Sequence, residues 1–210
     1  TAINIGAVYT LGRTLHGDAY KYHQTGAESN GSIYVQSQTG DTIPNPFKMP
    51  HTFGIGLTYV YDNRLTIGVD YTLQKWNTAD LAWSKFNKES VEMNSRTKIA
   101  FGAEFVPSYI SHNYLKRIRY RMGAYYSSPY NKVSYTSPDT GTTSFQDGAR
   151  EYGVSIGFGL PMFQSKSMLN ISGQYIKVSP KFKGLMEENY LRINIGLTFN
   201  ERWFMKWKVD

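Results

Sequence analysis

Large apolar residues alternate with small or polar ones in two neighbouring segments, HTFGIGLTYVY at residues 51–61 and LTIGVDYTL at residues 65–73. A period of two predicts β-strands, each with one apolar face and one face rich in glycine and threonine. Because only Asp62, Asn63 and Arg64 separate the two segments, they are predicted to form a tight hairpin.

The same alternation recurs along the chain, and no amphipathic helix of comparable length competes with it. The predicted strands are residues 2–12, 51–61, 65–76, 96–106, 117–127, 151–160, 167–178 and 189–200. The sequence therefore predicts an all-β, antiparallel, up-and-down protein of about eight strands.

Two architectures share this pattern, and they differ in where the apolar face points. A soluble barrel or sandwich turns it inward, whereas a membrane barrel turns it toward lipid and lines its lumen with the polar face. Roughly forty large apolar side chains exceed what the interior of one eight-stranded barrel holds, and repeated glycines fit a crowded interior better than a solvated surface. We therefore predict a transmembrane barrel. Its predicted lipid-facing residues are Phe53, Ile55, Leu57, Ile67, Val69, Tyr71, Phe101, Ile156, Phe158, Ile193 and Ile195.

The links between the predicted strands alternate between short and long, as periplasmic turns and extracellular loops do in outer-membrane barrels. The longest, residues 13–50, is predicted to be an extracellular loop in which GSIYVQSQ folds back against residues 14–24. We expect residues 1–210 to form a single barrel domain, with a basic C-terminal tail at 201–210. The predicted location is the outer membrane of a Gram-negative cell.

Composition and motifs favour no enzyme. The chain has no cysteine, which excludes disulfides and thiolate chemistry. Its net charge of +7 is scattered, so nucleic-acid binding is not expected. The four histidines, His16, His23, His51 and His112, have no metal-site spacing, and no nucleophile motif is present. We therefore expect no catalysis, metal or cofactor.

Charged residues on the polar parity are the candidate site residues, since they would meet inside a barrel. These predicted lumen-lining residues are Asp70, Lys98, Glu104, Arg119, Arg121 and Arg192. Two interpretations remain open: a structural salt-bridge network that fills the barrel, or a cationic constriction that guides an anionic solute. Because the fourth and fifth predicted strands are neighbours, Lys98 or Glu104 can pair with Arg119 or Arg121.

The segment MPHTFGIGLTYVYDNRLTIGVDYTLQKW resembles the FadL/TodX-type family of outer-membrane long-chain fatty-acid transporters. In this chain the matching residues are Pro50, Phe53, Gly54, Gly56, Tyr59, Leu65, Thr66, Asp70, Tyr71 and Trp76. Later segments, KIAFGAEFVP, RYRMGAYYSSPY and REYGVSIGFGLP, are similar to strands that follow in that family. The segment ENYLRINIGLTFNERWF is similar to the closing strand of its Bacteroidetes-type members.

This resemblance implies a monomeric fourteen-stranded barrel with an N-terminal plug, which passes hydrophobic small molecules. Only about eight strands are predicted here and the plug signature is missing, so we expect the C-terminal portion of a larger barrel. The leading hypothesis is passive uptake of hydrophobic compounds such as long-chain fatty acids, with the lipid bilayer and that ligand as partners. The alternatives are a non-transporting accessory barrel subunit of an outer-membrane protein complex, and a soluble β protein that binds a hydrophobic ligand.

Overall fold

The computed structural model describes residues 1–29, 32–78, 92–136, 141–162, 167–181 and 186–199. Fourteen strands lie in these residues, together with a 3₁₀ turn at Trp76–Thr78 and one short helix, α1 (Tyr114–Arg117). The strands are β1 (Ala2–Thr10), β2 (Thr14–Leu15), β3 (Asp18–Ser29), β4 (Ser32–Pro44), β5 (Phe47–Lys48), β6 (Thr52–Tyr61), β7 (Leu65–Gln74), β8 (Arg96–Phe105), β9 (Arg119–Ser127), β10 (Lys132–Thr136), β11 (Thr143–Asp147), β12 (Arg150–Pro161), β13 (Met168–Ser179) and β14 (Glu188–Thr198).

Eight of these strands form the main sheet, in the order β1-β6-β7-β8-β9-β12-β13-β14. Every neighbouring pair is antiparallel. This confirms the predicted all-β, up-and-down fold, and each of the eight predicted strands agrees with an observed strand to within two residues at either end. β1 and β14 lie at the two ends of the sheet, and the pairings of the described strands include no ladder between them.

The six other strands lie in the links. β3 pairs with β4 in a long hairpin, and β2 pairs with β5 at the base of that hairpin. A hairpin is therefore present in residues 13–50, but the predicted pairing of GSIYVQSQ with residues 14–24 is wrong: residues 32–38 pair with residues 24–29, and residues 14–15 pair with residues 47–48. β10 and β11 form a further small hairpin between β9 and β12.

Because the strands are antiparallel, their ends lie on two opposite sides of the main sheet. The side called here the turn rim is where strands are joined by the links 62–64, 106–118 and 162–167. The side called here the loop rim is where strands are joined by the links 11–51, 75–95, 128–149 and 180–187. At the turn rim, Asp62 and Asn63 adopt φ of 49° and 50°, the left-handed conformation that aspartate and asparagine tolerate in tight hairpin turns.

The two faces of the main sheet differ as the alternation predicts. Along β12, Gly153, Gly157 and Gly159 are buried while Val154 and Ile156 between them are exposed. Many other apolar residues of that parity are exposed too, among them Ile55 at 56%, Met122 at 61% and Ile193 at 68%, whereas Ile67 is half-buried. Soluble proteins rarely expose so large an apolar face, so its exposure disfavours the soluble alternative and fits a sheet that turns its apolar side to lipid.

Buried apolar side chains are few in the described part of the chain: Ile43, Val106, Ile118 and Ile176. Three of these lie near strand ends or links, at Ile43, Val106 and Ile118. The described residues also contain no helix that is both long and apolar enough to cross a membrane.

Candidate functional site on the polar face

Alternation and strand register together place the predicted lumen-lining residues on one face of the main sheet, called here the polar face. Glu104 of β8 lies directly opposite Arg121 of β9, and Lys98 of β8 lies opposite Ser127. Asp70 lies on β7 and Arg192 on β14, so these two are separated by several strands. That this face lines a lumen remains a prediction.

Glu104 holds both arginines of β9. Its Oε2 accepts a hydrogen bond from Arg121 Nε at 2.6 Å, and its Oε1 accepts one from Arg119 Nη1 at 3.2 Å. The three side chains are only 26–38% exposed, so the charges are partly removed from water. A half-buried cation of this kind is stable only when it is paired or hydrogen-bonded, and one carboxylate serves both.

The contacts continue from Glu104 across three more strands. Arg121 Nη1 donates to Asn170 Oδ1 of β13 at 2.8 Å, and Asn170 Nδ2 donates to Thr198 Oγ1 of β14 at 3.3 Å. We call Glu104, Arg119, Arg121, Asn170 and Thr198 the Glu104 network.

Glycines on β12 make this reach possible, because β12 lies between β9 and β13. Gly157 pairs with Arg121 on one side and Ser172 on the other, and Gly159 pairs with Arg119 and Asn170. A Cβ on Gly159 would lie 3.1 Å from Arg119 Cβ and 3.4 Å from Asn170 Oδ1. Because glycine has no side chain, β12 leaves room for Arg121 to reach across it to Asn170.

The turn rim is tied to the same network. The guanidinium of Arg119 lies 5.8 Å from the ring centroid of Tyr109, a cation–π contact. The Tyr109 hydroxyl donates to the carbonyl oxygen of Asn63 at 2.7 Å, which joins the link between β8 and β9 to the β6–β7 turn. Side chains thus connect the β6–β7 turn to β14 along this end of the sheet.

A second cluster lies at the loop rim end of the polar face, centred on Glu151 of β12. The Tyr125 hydroxyl donates to Glu151 Oε1, and Arg96 Nη2 lies 3.5 Å from Glu151 Oε2. Arg96 Nε donates to Ser127 Oγ at 2.6 Å, and Ser127 is only 1% exposed. The Lys98 ammonium lies 4.6 Å from the ring centroid of Tyr125. Lys98 therefore contacts an aromatic ring here, and of the two pairings predicted for β8 only that of Glu104 with the arginines is observed.

Asp147 connects the loops above that cluster. Asn94 Nδ2 donates to Asp147 Oδ1 at 2.8 Å, and Lys181 Nζ lies 3.4 Å from Asp147 Oδ2. The hydrogen bond from Asn94 lowers the pKa of Asp147 most, partial burial opposes it, and Lys181 adds to the lowering, so the net pKa lies below the usual 3.8. The carboxylate, at the end of β11, thus joins the segments that follow β7 and β13.

Sequence reasoning missed several members of these clusters. Arg96 and Glu151 have the polar parity of their strands but lie at strand starts, where alternation is easy to discount. Asn170 could not be chosen over the other polar residues of β13 without the register that places it beside Gly159. Asp70 was predicted correctly for the face, yet it packs against Gly56 and lies outside both clusters.

The side chains of the described ranges form no recognisable metal-binding site. No group of three or more His, Asp or Glu side chains there is arranged to hold a metal ion. His51 instead contacts Tyr9, whose hydroxyl lies 2.7 Å from His51 Nδ1.

The main sheet has eight antiparallel strands, an exposed apolar face and a polar face whose strands are joined by side-chain hydrogen bonds and ion pairs. This combination is typical of outer-membrane β-sheet proteins. The particular family follows from comparison with family models: the BamG model matches residues 1–210, and the chain belongs to the BamG family. This is a family associated with the Gram-negative outer membrane, which confirms the predicted location. It also indicates a subunit of an outer-membrane complex. Searches of curated proteins and of solved structures found no similar protein.

The family match overturns the resemblance to FadL/TodX-type transporters, because BamG is a distinct family. Half of the residues that carried the resemblance are aromatic residues on the exposed parity or glycines on the polar parity, as in Phe53, Gly54 and Gly56. Such a pattern is what any strand between lipid and a crowded interior requires, so it does not distinguish families. The fourteen-stranded barrel, the plug and the assignment to a C-terminal portion rested on that resemblance and lose their basis.

Proposed function

We propose that this chain is a structural, non-transporting subunit of an outer-membrane protein complex. The observation that carries the proposal is the Glu104 network. A cationic constriction needs arginines that are free to meet a solute, whereas Arg119 and Arg121 are both held by Glu104. Their hydrogen bonds rigidify the polar face and join its strands, which is the role of a structural network.

Uptake of fatty acids has no comparable support. Sites for apolar ligands are concave and lined mostly by apolar side chains. The polar face offers glycine, serine, asparagine and paired charges around Arg121, and the apolar residues of the main sheet lie on the opposite face. We extend the proposal to an absence of catalysis, since the charged groups of both clusters are engaged with one another.

The β3–β4 hairpin is the proposed docking element for the rest of the complex. Tyr20 and Tyr22 are 65% and 63% exposed, and Tyr22 lies over Gly40 of the opposite strand. An isolated two-stranded hairpin is marginally stable in water, so one of this length gains stability when a partner protein covers it. Exposed tyrosines are the side chains that protein interfaces favour, because they supply rigid contact area and a hydroxyl.

Purification from outer membranes tests the subunit role. The tagged full-length protein, extracted in mild detergent, should migrate in native gels as part of a stoichiometric complex with other outer-membrane proteins. The variant Tyr20→Ala/Tyr22→Ala should lose these partners while its own heat-resistant folded band persists. Leu115→Ala is the matched control, since Leu115 is 62% exposed but lies at the turn rim.

Planar-bilayer conductance and fatty-acid uptake test the absence of transport. The variant Arg119→Ala/Arg121→Ala should unfold at a lower temperature with unchanged ion selectivity and unchanged uptake of a radiolabelled long-chain fatty acid. Altered selectivity in that variant would favour the cationic constriction instead. A wild-type protein that emerges alone from membranes and supports uptake would contradict the proposal as a whole.

A further inference from the structure

A cavity of about 450 Å³ opens at the loop rim, where β1 ends, β6 begins and β7 ends. It is separate from both clusters on the polar face and plays no part in the function proposed above. We call it the Lys75 pocket. The side chains used in the argument are Thr14, Lys48, His51, Phe53 and Lys75.

Positive charge dominates this pocket. Lys48 and Lys75 both line it, and its described lining contains no aspartate or glutamate. Lys48 is half-buried, and the Lys75 ammonium lies 5.8 Å from the ring centroid of Phe53. Two ammonium groups around one cavity without a carboxylate favour an anionic ligand.

His51 also lines the pocket and can add a hydrogen-bond donor. The backbone N–H of Gly12 donates to His51 Nδ1 at 3.2 Å, so Nδ1 is an acceptor and the ring proton lies on Nε2. The Tyr9 ring stacks on the imidazole with centroids 5.9 Å apart and an interplanar angle of 8°, which fixes its orientation. The hydroxyl of Thr14 is a further group that can donate to a ligand oxygen, whereas that of Thr78 donates to the carbonyl oxygen of Lys75 at 2.9 Å.

The position of the pocket relative to the apolar face indicates the source of the anion. Phe53, which is 42% exposed, belongs to the apolar parity of β6, as does His51 one step nearer the loop rim. Lys75 continues the apolar parity of β7 just past the end of that strand at Gln74. Cationic side chains at the end of a lipid-facing row lie at headgroup level, where their apolar stems follow the hydrocarbon and their charges reach the phosphates.

We propose that the Lys75 pocket binds the phosphate group of a lipid headgroup, with the acyl chains of that lipid lying on the apolar face beside Phe53 and Ile55. Lys48 and Lys75 neutralise the phosphate, and His51 Nε2 and the Thr14 hydroxyl complete its hydrogen bonds. The site depends on the outward orientation of the apolar face and is independent of the proposed subunit role.

Lipid retention in nanodiscs tests this site. The full-length protein is reconstituted in phosphatidylcholine nanodiscs that contain a small fraction of lipid A, whose phosphates are monoesters. Displacement of fluorescent lipid A by unlabelled lipid A then measures the affinity of the wild-type protein and of Lys48→Gln/Lys75→Gln for this lipid. Loss of a lysine near a phosphate surface is expected to weaken binding roughly fivefold for each lysine.

The control variant is Lys116→Gln/Lys132→Gln, which removes the same charge at places outside the pocket and should bind lipid A like wild type. A heat-resistant folded band for each variant shows that the sheet has formed. Equal affinity of the pocket variant and wild type would overturn the proposal. Displacement of lipid A by inorganic phosphate at equal concentration would overturn the lipid assignment, because the pocket would then serve a soluble anion.

Discussion

Glu104 of β8 and Arg121 of β9 face each other directly across an antiparallel pair, and Arg121 Nε donates to Glu104 Oε2 at 2.6 Å. This contact is short, charge-assisted and partly shielded from water, which distinguishes it from an ordinary surface ion pair. Arg121 also continues to Asn170 on β13, so one side chain joins three strands of the sheet and passes over a fourth.

Arg121→Ala should therefore destabilise the folded protein. Glu104 would keep only its longer contact to Arg119, and Asn170 Oδ1 would lose its donor. We expect the free energy of unfolding in lipid or detergent, measured by urea titration, to fall by about 1–3 kcal/mol.

The control for this variant is Arg64→Ala at the turn rim. Arg64 lies 3.4 Å from Asp62, but both side chains are more than half exposed, at 53% and 65%. Its loss should change the free energy of unfolding by less than about 0.5 kcal/mol. Equal losses for Arg121→Ala and Arg64→Ala would mean that the Glu104 network adds nothing to stability.

Gly153→Ala should displace the ring of Tyr125. A Cβ on Gly153 would lie 2.6 Å from Tyr125 Cζ and 2.7 Å from Cδ1, so the ring must move and give up its hydrogen bond to Glu151. The expected loss is about 1–3 kcal/mol in the free energy of unfolding. Gly102→Ala, on the polar face of β8 with open space above it, should cost nothing or stabilise by about 0.4–1 kcal/mol.

A double-mutant cycle separates this clash from other effects of the extra methyl group. In a Tyr125→Ala background the ring is absent, so Gly153→Ala should cost much less than it does alone. If its cost were the same in both backgrounds, the close approach of Tyr125 would not be the cause.

Local alternation was enough to predict the strands of the main sheet and the face on which each charge lies. Glu104 and Arg121 could be paired in advance because β8 and β9 are neighbours in sequence and their polar parities are clear. The contact to Asn170 could not, since it depends on the register of two further strand pairs and on the space above Gly157 and Gly159.

The family of the protein could not be predicted from alternation either, for a related reason. Apolar residues such as Ile55 and glycines such as Gly56 record where a strand lies between lipid and interior, and unrelated outer-membrane sheets share that requirement. The β3–β4 hairpin was predicted only in outline, because its sequence has little amphipathic alternation and its tyrosines are exposed. The predicted basic tail at 201–210 lies outside the described residues.

Asp147 should make stability depend on acid pH. Its folded-state pKa is lowered, mainly by the hydrogen bond from Asn94, so the ionised form is the one that stabilises. This contribution is present above the usual pKa of 3.8 and is lost as pH falls from there through the lower folded-state pKa, where the carboxyl group becomes protonated. Asp147→Asn should lower the melting temperature at pH 7. The free energy of unfolding should fall by less than about 1 kcal/mol, because the carboxylate is partly exposed.

The two melting curves should converge as the pH is lowered toward 3, because the wild-type carboxyl group is then increasingly neutral as well. Lys181→Gln removes one of the three groups that favour the carboxylate, the others being Asn94 and Lys132, and should reproduce part of the effect. A melting-temperature difference that stays constant between pH 7 and pH 3 would contradict the role of the ionised carboxylate.

Tyr71→Arg tests the orientation of the whole sheet. Tyr71 is 40% exposed on the apolar face and pairs with Ile55 and Ile99 on its two neighbouring strands. A charge near the bilayer midplane costs about 2–4 kcal/mol, so this variant should assemble poorly and yield little heat-resistant folded protein in the outer-membrane fraction. Leu115→Arg at the turn rim introduces the same charge at a side chain that is 62% exposed and should assemble normally. If Tyr71→Arg folded as well as wild type and remained in the aqueous fraction without detergent, the apolar face could not be facing lipid.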